Sequence, residues 1–264
     1  RPADDTRDHR AVVVGAGLAG TWAAWSLAQQ GWRCTVLDRH PQPATEASGN
    51  PAGLFHATVH ADDGLHARAQ RAASLLAARC MAPWIADGTL PGAVDGLLRL
   101  ARPDDTAAAM QARIEALGLP AEHLRALDRD AASDEASVAL PGPAWRFGQA
   151  GWVAPGPLVA RLLAAPGVRF EGGVEVAALQ RDSDQWQLLA SDGRLLAATR
   201  TVVLANAADV VRLWPAAGWP LGRSRGQLSW CATPPPDAPR PRLPLSGAGY
   251  VLALPDGTDR KSVV

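Results

Sequence analysis

The sequence predicts an α/β protein whose first part is built on a parallel sheet. Residues 11–14 form a short β-branched apolar run that ends at Gly15, which is typical of a buried parallel strand. Residues 18–30 carry apolar side chains at helical spacing, and residues 33–37 form a second apolar run. Strand, helix and strand in this order begin a βαβ unit of the Rossmann-like type.

The remaining elements follow from periodicity and turn residues. After a loop over residues 41–53, we expect helices and a strand at these positions: helix 63–81, strand 93–101, helix 104–117 with Asp104 or Asp105 near its cap, and helix 157–164. Residues 131–151 read as irregular. Extended segments at 174–179, 185–189 and 201–204, separated by turn sequences, predict a β-meander, and residues 227–231 and 249–254 predict two later strands.

Composition excludes several classes of protein. Of 264 residues, 47% are hydrophobic and 20% charged, with formal net charge zero, so no global basic field argues for nucleic-acid binding. Cys34, Cys80 and Cys231 lie far apart and without metal-ligand spacing, so we expect no metal and a reducing, cytoplasmic location. No apolar run reaches the roughly 18 residues of a membrane span, and we expect no membrane association.

The domain boundaries are predicted from these elements. We expect residues 1–10 to be a linker, residues 11–80 and 150–222 to form the dinucleotide-binding domain, and residues 81–149 and 223–258 to form an incomplete, smaller α+β substrate domain. Residues 259–264 contain the chain's single lysine, Lys261, and are what a common sequencing adapter would encode. We therefore expect an artefactual tail there.

The glycine-rich turn after the first strand predicts a dinucleotide site. In the run Gly15-Ala16-Gly17-Leu18-Ala19-Gly20, the first glycine permits a tight turn and the second lets the backbone approach a pyrophosphate. The third allows the helix to pack closely on the strand, and the helix N-terminus offers N–H groups to phosphates. Asp38, at the end of the second strand, would accept a hydrogen bond from a ribose 2′-hydroxyl and disfavours NADP.

The fingerprint itself does not separate FAD from NAD. Two features favour FAD: the predicted β-meander, and the small residues of the loop 47–53, which lie just after the second strand. An ordinary surface turn explains that loop equally well.

The residues at 12–20 (Val-Val-Val-Gly-Ala-Gly-Leu-Ala-Gly) and 46–53 (Glu-Ala-Ser-Gly-Asn-Pro-Ala-Gly) resemble the D-amino-acid/glycine oxidase family of FAD-dependent oxidoreductases. Within it, residues 48–50, residues 151–153 with Pro155, and residues 203–206 and 225–227 are similar to the oxidoreductase half of the bifunctional MnmC-type tRNA-modifying proteins. The resemblance implies FAD contacts at Gly15, Ala16, Gly17, Leu18, Ala19, Gly20, Asp38, Arg39, Ser48, Gly49, Asn50, Gly53, Val176, Ala205 and Asn206.

The resemblance also implies an activity. FAD would oxidise the carboxymethylaminomethyl group on the wobble uridine of tRNA, which releases glyoxylate and leaves an aminomethyl group. The family's C-terminal segment and the N-terminal methyltransferase half are absent, so the chain resembles a truncated fragment. An oxidase of a small amine or amino acid (glycine, sarcosine or a D-amino acid) and an inactive fragment remain the alternatives.

A substrate carboxylate calls for an arginine, because the planar guanidinium binds it bidentately. Arg225, before the strand at 227–231, is the first candidate for a catalytic-site residue, with Arg99 and Arg146 as weaker ones. His56 and His60 follow the Gly53 turn and could face a flavin, although a surface or core position suits a lone histidine equally well.

Overall fold

The structure is a computed structural model that describes residues 9–215, 218–224, 226–231, 237–254 and 259–263. The chain divides into two compact units. The first comprises Arg1–Pro51 and Pro155–Arg223, and the second comprises Ala52–Ala154 and Ser224–Val264. Each unit is therefore assembled from two separate stretches of the chain.

The helices of the described residues are α1 Leu18–Ala28, α2 Leu65–Ala86, α3 Ala107–Ala116, α4 Arg129–Ala136, α5 Pro155–Leu163 and α6 Val210–Leu213. The strands of the described residues are β1 Arg10–Val14, β2 Arg33–Asp38, β3 Gly53–Phe55, β4 Gly92–Ala93, β5 Leu97–Leu100, β6 Leu124–Leu127, β7 Ala144–Phe147, β8 Gly151–Val153, β9 Val168–Gly172, β10 Ala178–Asp182, β11 Gln185–Leu189, β12 Leu195–Thr199, β13 Thr201–Leu204, β14 Gln227–Cys231, β15 Leu245–Ser246, β16 Gly249–Ala253 and β17 Asp259–Val263. Short 3-10 turns lie at Ala47–Gly49 and Ala207–Asp209.

The first unit contains the predicted parallel sheet, with strand order β13-β1-β2-β9. Alternate residues of β1 face opposite sides. Val13 packs in one cluster with Ala24 of α1, whereas Val12 and Val14 pack in another with Leu188 of β11. The parallel sheet thus has helices on one face and the meander on the other, which confirms the Rossmann-like α/β class with a β-meander.

The meander itself differs from the expectation in its last strand. β10, β11 and β12 form the antiparallel three-stranded sheet, so the third strand is Leu195–Thr199. The apolar run Thr201–Leu204 instead pairs in parallel with β1. A one-residue link separates the two strands, and the sequence carries no turn signal there. β9 is a strand that the expected elements do not include, although Val168 and Phe170 alternate with Arg169 and Glu171 as in a strand at the edge of a sheet.

The second unit contains a seven-stranded sheet among its described residues, with the order β14-β17-β16-β15-β5-β7-β6, and a small sheet of order β3-β8-β4. α3 packs on one face of the larger sheet through Met110 and Ile114, which contact Trp145 and Phe147 of β7. This cluster is one of several buried hydrophobic clusters among the described residues of the second unit. The α+β character expected for this region is therefore present.

Two expectations for this unit differ from the structure. The predicted strand 93–101 is two strands, because Gly96 turns the chain at φ +110° and Arg146 occupies the space where a Cβ would lie. Residues 131–151 are not irregular but contain most of α4, all of β7 and the first residue of β8. Asp105 lies next to the cap of α3, as expected; the cap itself is Thr106, whose side chain accepts a hydrogen bond from the N–H of Ala109.

The division between units also differs from the predicted boundaries. Residues 52–80 were expected with the first unit, but they lie in the second. The physical reason is strand pairing: β3 pairs with β8, and β8 pairs with β4. Residues 259–263 form β17, whose backbone pairs with β14 and β16.

Within the described part of the chain, no helix has the length and apolarity needed to cross a membrane.

Candidate cofactor site

The first unit has a cavity of about 620 Å³ at the carboxyl ends of β1, β2 and β13. Val14, Leu37 and Leu204 are the last or next-to-last residues of these strands, and each lines the cavity. In open α/β sheets, ligands bind in the crevice beyond the carboxyl ends of the strands. The cavity therefore lies where the glycine-rich turn predicts a dinucleotide.

Gly15 and Gly20 shape the floor of this crevice. Gly15 has φ +108°, and a Cβ there would lie 2.6 Å from the carbonyl oxygen of Ala205. A Cβ at Gly20 would lie 1.9 Å from the carbonyl oxygen of Gly15. Both positions therefore require glycine: the first for backbone conformation and close approach to the end of β13, the second for packing of α1 on the turn.

Gly17 and Ser48 meet at the N-terminus of α1. Gly17 is the residue before the helix, and the N–H of Leu18 donates a hydrogen bond to Ser48 Oγ at 3.0 Å. A Cβ at Gly17 would lie 3.0 Å from the same oxygen. Because both residues line the cavity, a phosphate here would meet the positive end of the helix dipole and the Ser48 hydroxyl together.

Asp38 fixes the turn as well as lining the cavity. Its Oδ2 accepts a hydrogen bond from the N–H of Ala16 at 2.7 Å, and its Oδ1 accepts one from the N–H of His40 at 2.8 Å. A carboxylate has about four acceptor positions, so two bonds leave capacity for a ribose hydroxyl. Asp38 therefore connects the end of β2 to the glycine-rich turn while remaining available to a ligand.

A cluster of three side chains, those of Arg39, His40 and Glu46, lies beside Asp38. Arg39 forms an ion pair with Glu46, and His40 Nε2 lies 3.1 Å from a carboxylate oxygen of Glu46. The hydrogen bond from Arg39, followed by that from His40, holds the pKa of Glu46 below its usual range. The Arg39 and Glu46 side chains are largely exposed, so their ion pair affects the electrostatic environment of the cavity more than it stabilises the fold.

The opposite wall contains a network that sequence reasoning missed. Asn206 Nδ2 donates a hydrogen bond to Asp209, and Arg212 pairs with Asp209 through two bonds of 3.0 and 2.7 Å. Arg212 also donates to the carbonyl oxygens of Val176 and Ala177, both at 3.0 Å. Hydrogen bonding to Arg212 is the main cause that lowers the pKa of Asp209. Arg212 therefore holds the segment before β10 against the cavity.

Asn206 carries a buried acceptor that suits a bound ligand. Its Oδ1 is buried and has no hydrogen-bond donor among the described residues. A buried acceptor without a partner costs about 1–3 kcal/mol, so a hydroxyl or N–H of a bound molecule would relieve this cost. The residue lies directly after β13, inside the cavity.

The structure brings most of the sequence-predicted cofactor residues together. Those that line the cavity are Gly15, Gly17, Leu18, Ala19, Asp38, Arg39, Ser48, Val176, Ala205 and Asn206. Those that do not line it are Ala16, Gly20, Gly49, Asn50 and Gly53, although Ala16 and Gly20 shape the turn as described. Val176 was expected in the first meander strand but precedes β10, and its carbonyl oxygen is bonded to Arg212.

The three arginines that the sequence suggests as ligands of a substrate carboxylate, Arg225, Arg146 and Arg99, have different surroundings. Arg225 lies outside the described residues, so its role stays a prediction. Arg146 is bonded to Glu135 and to the carbonyl oxygens of Asp95 and Phe147, which makes it a structural residue of the second unit. Arg99 lines a separate cavity of the second unit.

His56 and His60 also belong to the second unit. His56 packs against Phe147 with ring centroids 5.3 Å apart, and burial is the main cause that lowers its pKa. Among the described residues, no group of three or more His, Cys, Asp or Glu side chains is placed to hold a metal ion.

The sequence pattern of the family described as "FAD dependent oxidoreductase" matches residues 10–261. The chain belongs to this family. FAD is the family's cofactor, and the cavity suits it: a glycine-rich turn, a helix N-terminus, a carboxylate at the end of β2 and an unpartnered buried acceptor all face one crevice. The predicted family, the enzyme class and the cofactor are thereby confirmed.

Two curated relatives are similar over nearly the whole chain. The tRNA 5-methylaminomethyl-2-thiouridine biosynthesis bifunctional protein MnmC of Methylibium petroleiphilum is 43% identical over 262 residues, and that of Burkholderia mallei is 42% identical over 257 residues. They match 97% and 96% of this chain, which in turn spans 40% and 38% of their lengths.

Among solved structures, glycine oxidase from Geobacillus kaustophilus superposes with a TM-score of 0.69 at 20% identity, covering 97% of this chain and 72% of its own. L-proline dehydrogenase from P. horikoshii superposes with a TM-score of 0.72 at 14% identity, covering 97% and 71%. At these identities, the two structures establish the fold.

Proposed function

We propose that this chain is the flavin-binding oxidoreductase part of a bifunctional tRNA-modifying protein. Its reaction oxidises the carboxymethylaminomethyl group on the wobble uridine of tRNA. The observation that carries the proposal is 43% identity to the Methylibium petroleiphilum protein across 97% of this chain, together with a crevice lined by Gly15, Gly17 and Asp38. The bifunctional relatives are more than twice as long, which supports a partner methyltransferase domain in the same polypeptide. A cytoplasmic location follows, where such tRNA is made.

The walls of the crevice indicate which residues would hold FAD. Gly17 and Ser48, at the α1 N-terminus, would hold the pyrophosphate, and Asp38 would hold the ribose hydroxyls. Val176, whose position Arg212 fixes, would contact the adenine. Asn206 Oδ1 would accept a hydrogen bond from the cofactor.

The substrate group is a secondary amine joined to a CH₂–carboxylate, chemically an N-substituted glycine. Bound FAD supplies a two-electron acceptor for the hydride of that methylene. The amine loses its proton, the substrate becomes an imine, and one water molecule hydrolyses the imine to glyoxylate and the aminomethyl group. The protein must hold the methylene against the acceptor and pair the carboxylate, for which Arg225 is the proposed ligand.

An oxidase of a small amine or amino acid is the second candidate, favoured by the fold shared with glycine oxidase. The tRNA-modifying enzyme and the small-molecule oxidase can be distinguished by the substrate that reduces the flavin. Under anaerobic conditions, flavin absorbance is followed after adding tRNA that bears the carboxymethylaminomethyl group and, separately, glycine, sarcosine and D-alanine. We expect bleaching by the tRNA; bleaching by a free amino acid alone would favour the second candidate.

A third possibility is that the chain by itself is inactive. The chain is mixed with FAD, freed of unbound FAD by gel filtration, and its absorption spectrum is recorded. A flavin spectrum that travels with the protein supports the proposed cofactor site. A colourless protein would contradict it for this chain.

A further inference from the structure

The second unit has a cavity of its own, of about 230 Å³, on the face of the seven-stranded sheet that α3 covers. None of the cofactor residues lies in it. Its lining residues come from the loop before α2, from β5 and β7, from the loop before α3 and from α3 itself: Val59, His60, Ala61, Arg99, Leu100, Arg102, Asp105, Arg113, Trp145 and Phe147.

Positive charge is concentrated in this cavity. Arg99 lies on β5, Arg102 follows that strand, and Arg113 lies on α3, yet all three line one small space. Asp105 is the single carboxylate in the lining. Because the whole chain has a formal net charge of zero, this excess is local and does not follow from composition.

The three arginines differ from many others in the chain. Among the described residues, ion pairs join Arg71 to Asp63, Arg146 to Glu135 and Arg212 to Asp209. Weaker exposed pairs exist at Arg129, Arg169, Arg194 and Arg200. By contrast, no carboxylate of the described residues forms an ion pair with Arg99, Arg102 or Arg113. Their charges are therefore available to an external anion.

An aromatic wall supports the arginines. The Arg113 guanidinium carbon lies 6.0 Å from the centroid of the Trp145 ring, a cation–π distance. Trp145 and Phe147 are 7% and 1% exposed, so the floor of the cavity is apolar. Arg99 pairs with Trp145 across β5 and β7, and it therefore shares that face of the sheet. A low-dielectric wall behind clustered charges strengthens their field in the cavity.

We propose that this cavity binds a phosphate group of the tRNA backbone, an inference that rests on the proposed function. Guanidinium groups match the oxygens of a phosphate bidentately, and three of them against one carboxylate suit an anion. The volume is below the roughly 300 Å³ at which pockets for whole small molecules begin, which favours a single phosphate over a complete cofactor. The site supplies affinity for RNA and takes no part in the oxidation.

The test measures binding of labelled tRNA by fluorescence anisotropy at two salt concentrations. The variant R102Q/R113Q removes two positive charges from the cavity. The control R169Q/R194Q removes two positive charges from the first unit, where those side chains are 76% and 69% exposed. We expect R102Q/R113Q to weaken binding at least about tenfold, as loss of charged hydrogen bonds does. The slope of log affinity against log salt should fall by about 0.7 per lost phosphate contact. The control should change both quantities much less.

Inorganic phosphate is added as a competitor of the labelled tRNA. This measurement distinguishes free phosphate from the RNA backbone as the ligand of the cavity. The proposal would be overturned if both double variants weakened tRNA binding equally. It would also be overturned if the protein bound inorganic phosphate through Arg102 but did not bind tRNA. If R102Q/R113Q does not fold, R102Q alone serves, because Arg102 is exposed. Flavin absorbance and tRNA oxidation are recorded on each sample. Unchanged tRNA affinity with normal oxidation would reject this site while leaving the proposed function standing.

Discussion

At Gly15 a single methyl group decides whether the glycine-rich turn fits against β13. The residue combines φ +108° with a 2.6 Å approach of its would-be Cβ to the carbonyl of Ala205. Either feature alone disfavours a side chain, and the backbone carbonyl cannot swing away as a flexible side chain could. The position is therefore a sensitive test of the cofactor site.

Gly15→Ala should abolish retention of FAD and lower stability by at least about 1 kcal/mol, because alanine is strained at positive φ and collides with β13. Flavin absorbance after gel filtration and chemical denaturation measure the two effects. Gly156→Ala is the control: it lies in α5 with nothing within 4 Å of its would-be Cβ. A Gly15→Ala variant that kept its flavin would refute this role for the turn.

At the scale of single residues, the sequence points to positions where a backbone geometry demands one residue type. Gly15, Gly17 and Asp38 could be located because a tight turn, a close approach and a ribose contact each leave a fixed spacing in the sequence. Arg212 could not be located in this way. It reaches Val176 across 36 positions, and arginine is common throughout this chain. Long-range hydrogen bonds of this kind leave no local pattern.

The elements that the sequence predicts well are those with local signals. β1, α1 and β2 are bounded by glycines and by an acidic residue, and they lie close to the expected positions. β7 has only four residues, Ala-Trp-Arg-Phe, between Pro143 and Gly148, and its pairing with β5 and β6 decides its conformation. The parallel pairing of β13 with β1 could not be predicted, because it joins residues 11–14 to residues 201–204.

Thr106→Ala tests the observed start of α3. Thr106 accepts a hydrogen bond from the N–H of Ala109, and loss of such a cap costs about 1 kcal/mol. Denaturant unfolding measures the change. Gln111→Ala, on the exposed face of the same helix, should cost less than about 0.5 kcal/mol. Equal effects of the two variants would mean that the cap does not anchor this helix.

At the scale of the whole molecule, cofactor and stability are linked. A ligand that binds the folded state alone stabilises it by about 2.7 kcal/mol at a free concentration one hundred times its Kd. FAD should therefore raise the Tm of the wild-type protein in a concentration-dependent way. A Tm that FAD leaves unchanged in the wild-type protein would argue against a site in the folded chain.

Two histidines, the half-buried His56 and the buried His123, should make the molecule sensitive to mild acid. Burial is the main cause that lowers the pKa of both His56 and His123 from the usual value near 6.5. The unfolded chain then binds more protons than the folded one, so stability is full above about pH 6.5 and falls as pH decreases below it. H56Q/H123Q should flatten this fall, as measured by denaturant midpoints between about pH 7 and pH 5. An unaltered slope in the variant would exclude these histidines as its origin.

The pairing of β1 with β13 also determines when the parallel sheet can be completed during synthesis of the chain. Ala11 to Val14 leave the ribosome before their partners Thr201 to Leu204, which are nearly two hundred positions further along the chain. At ~5–20 residues per second, this strand waits on the order of ten to forty seconds for its neighbour. During that interval one edge of a very apolar strand is unprotected, so the nascent chain is a natural client for chaperones that shield such edges.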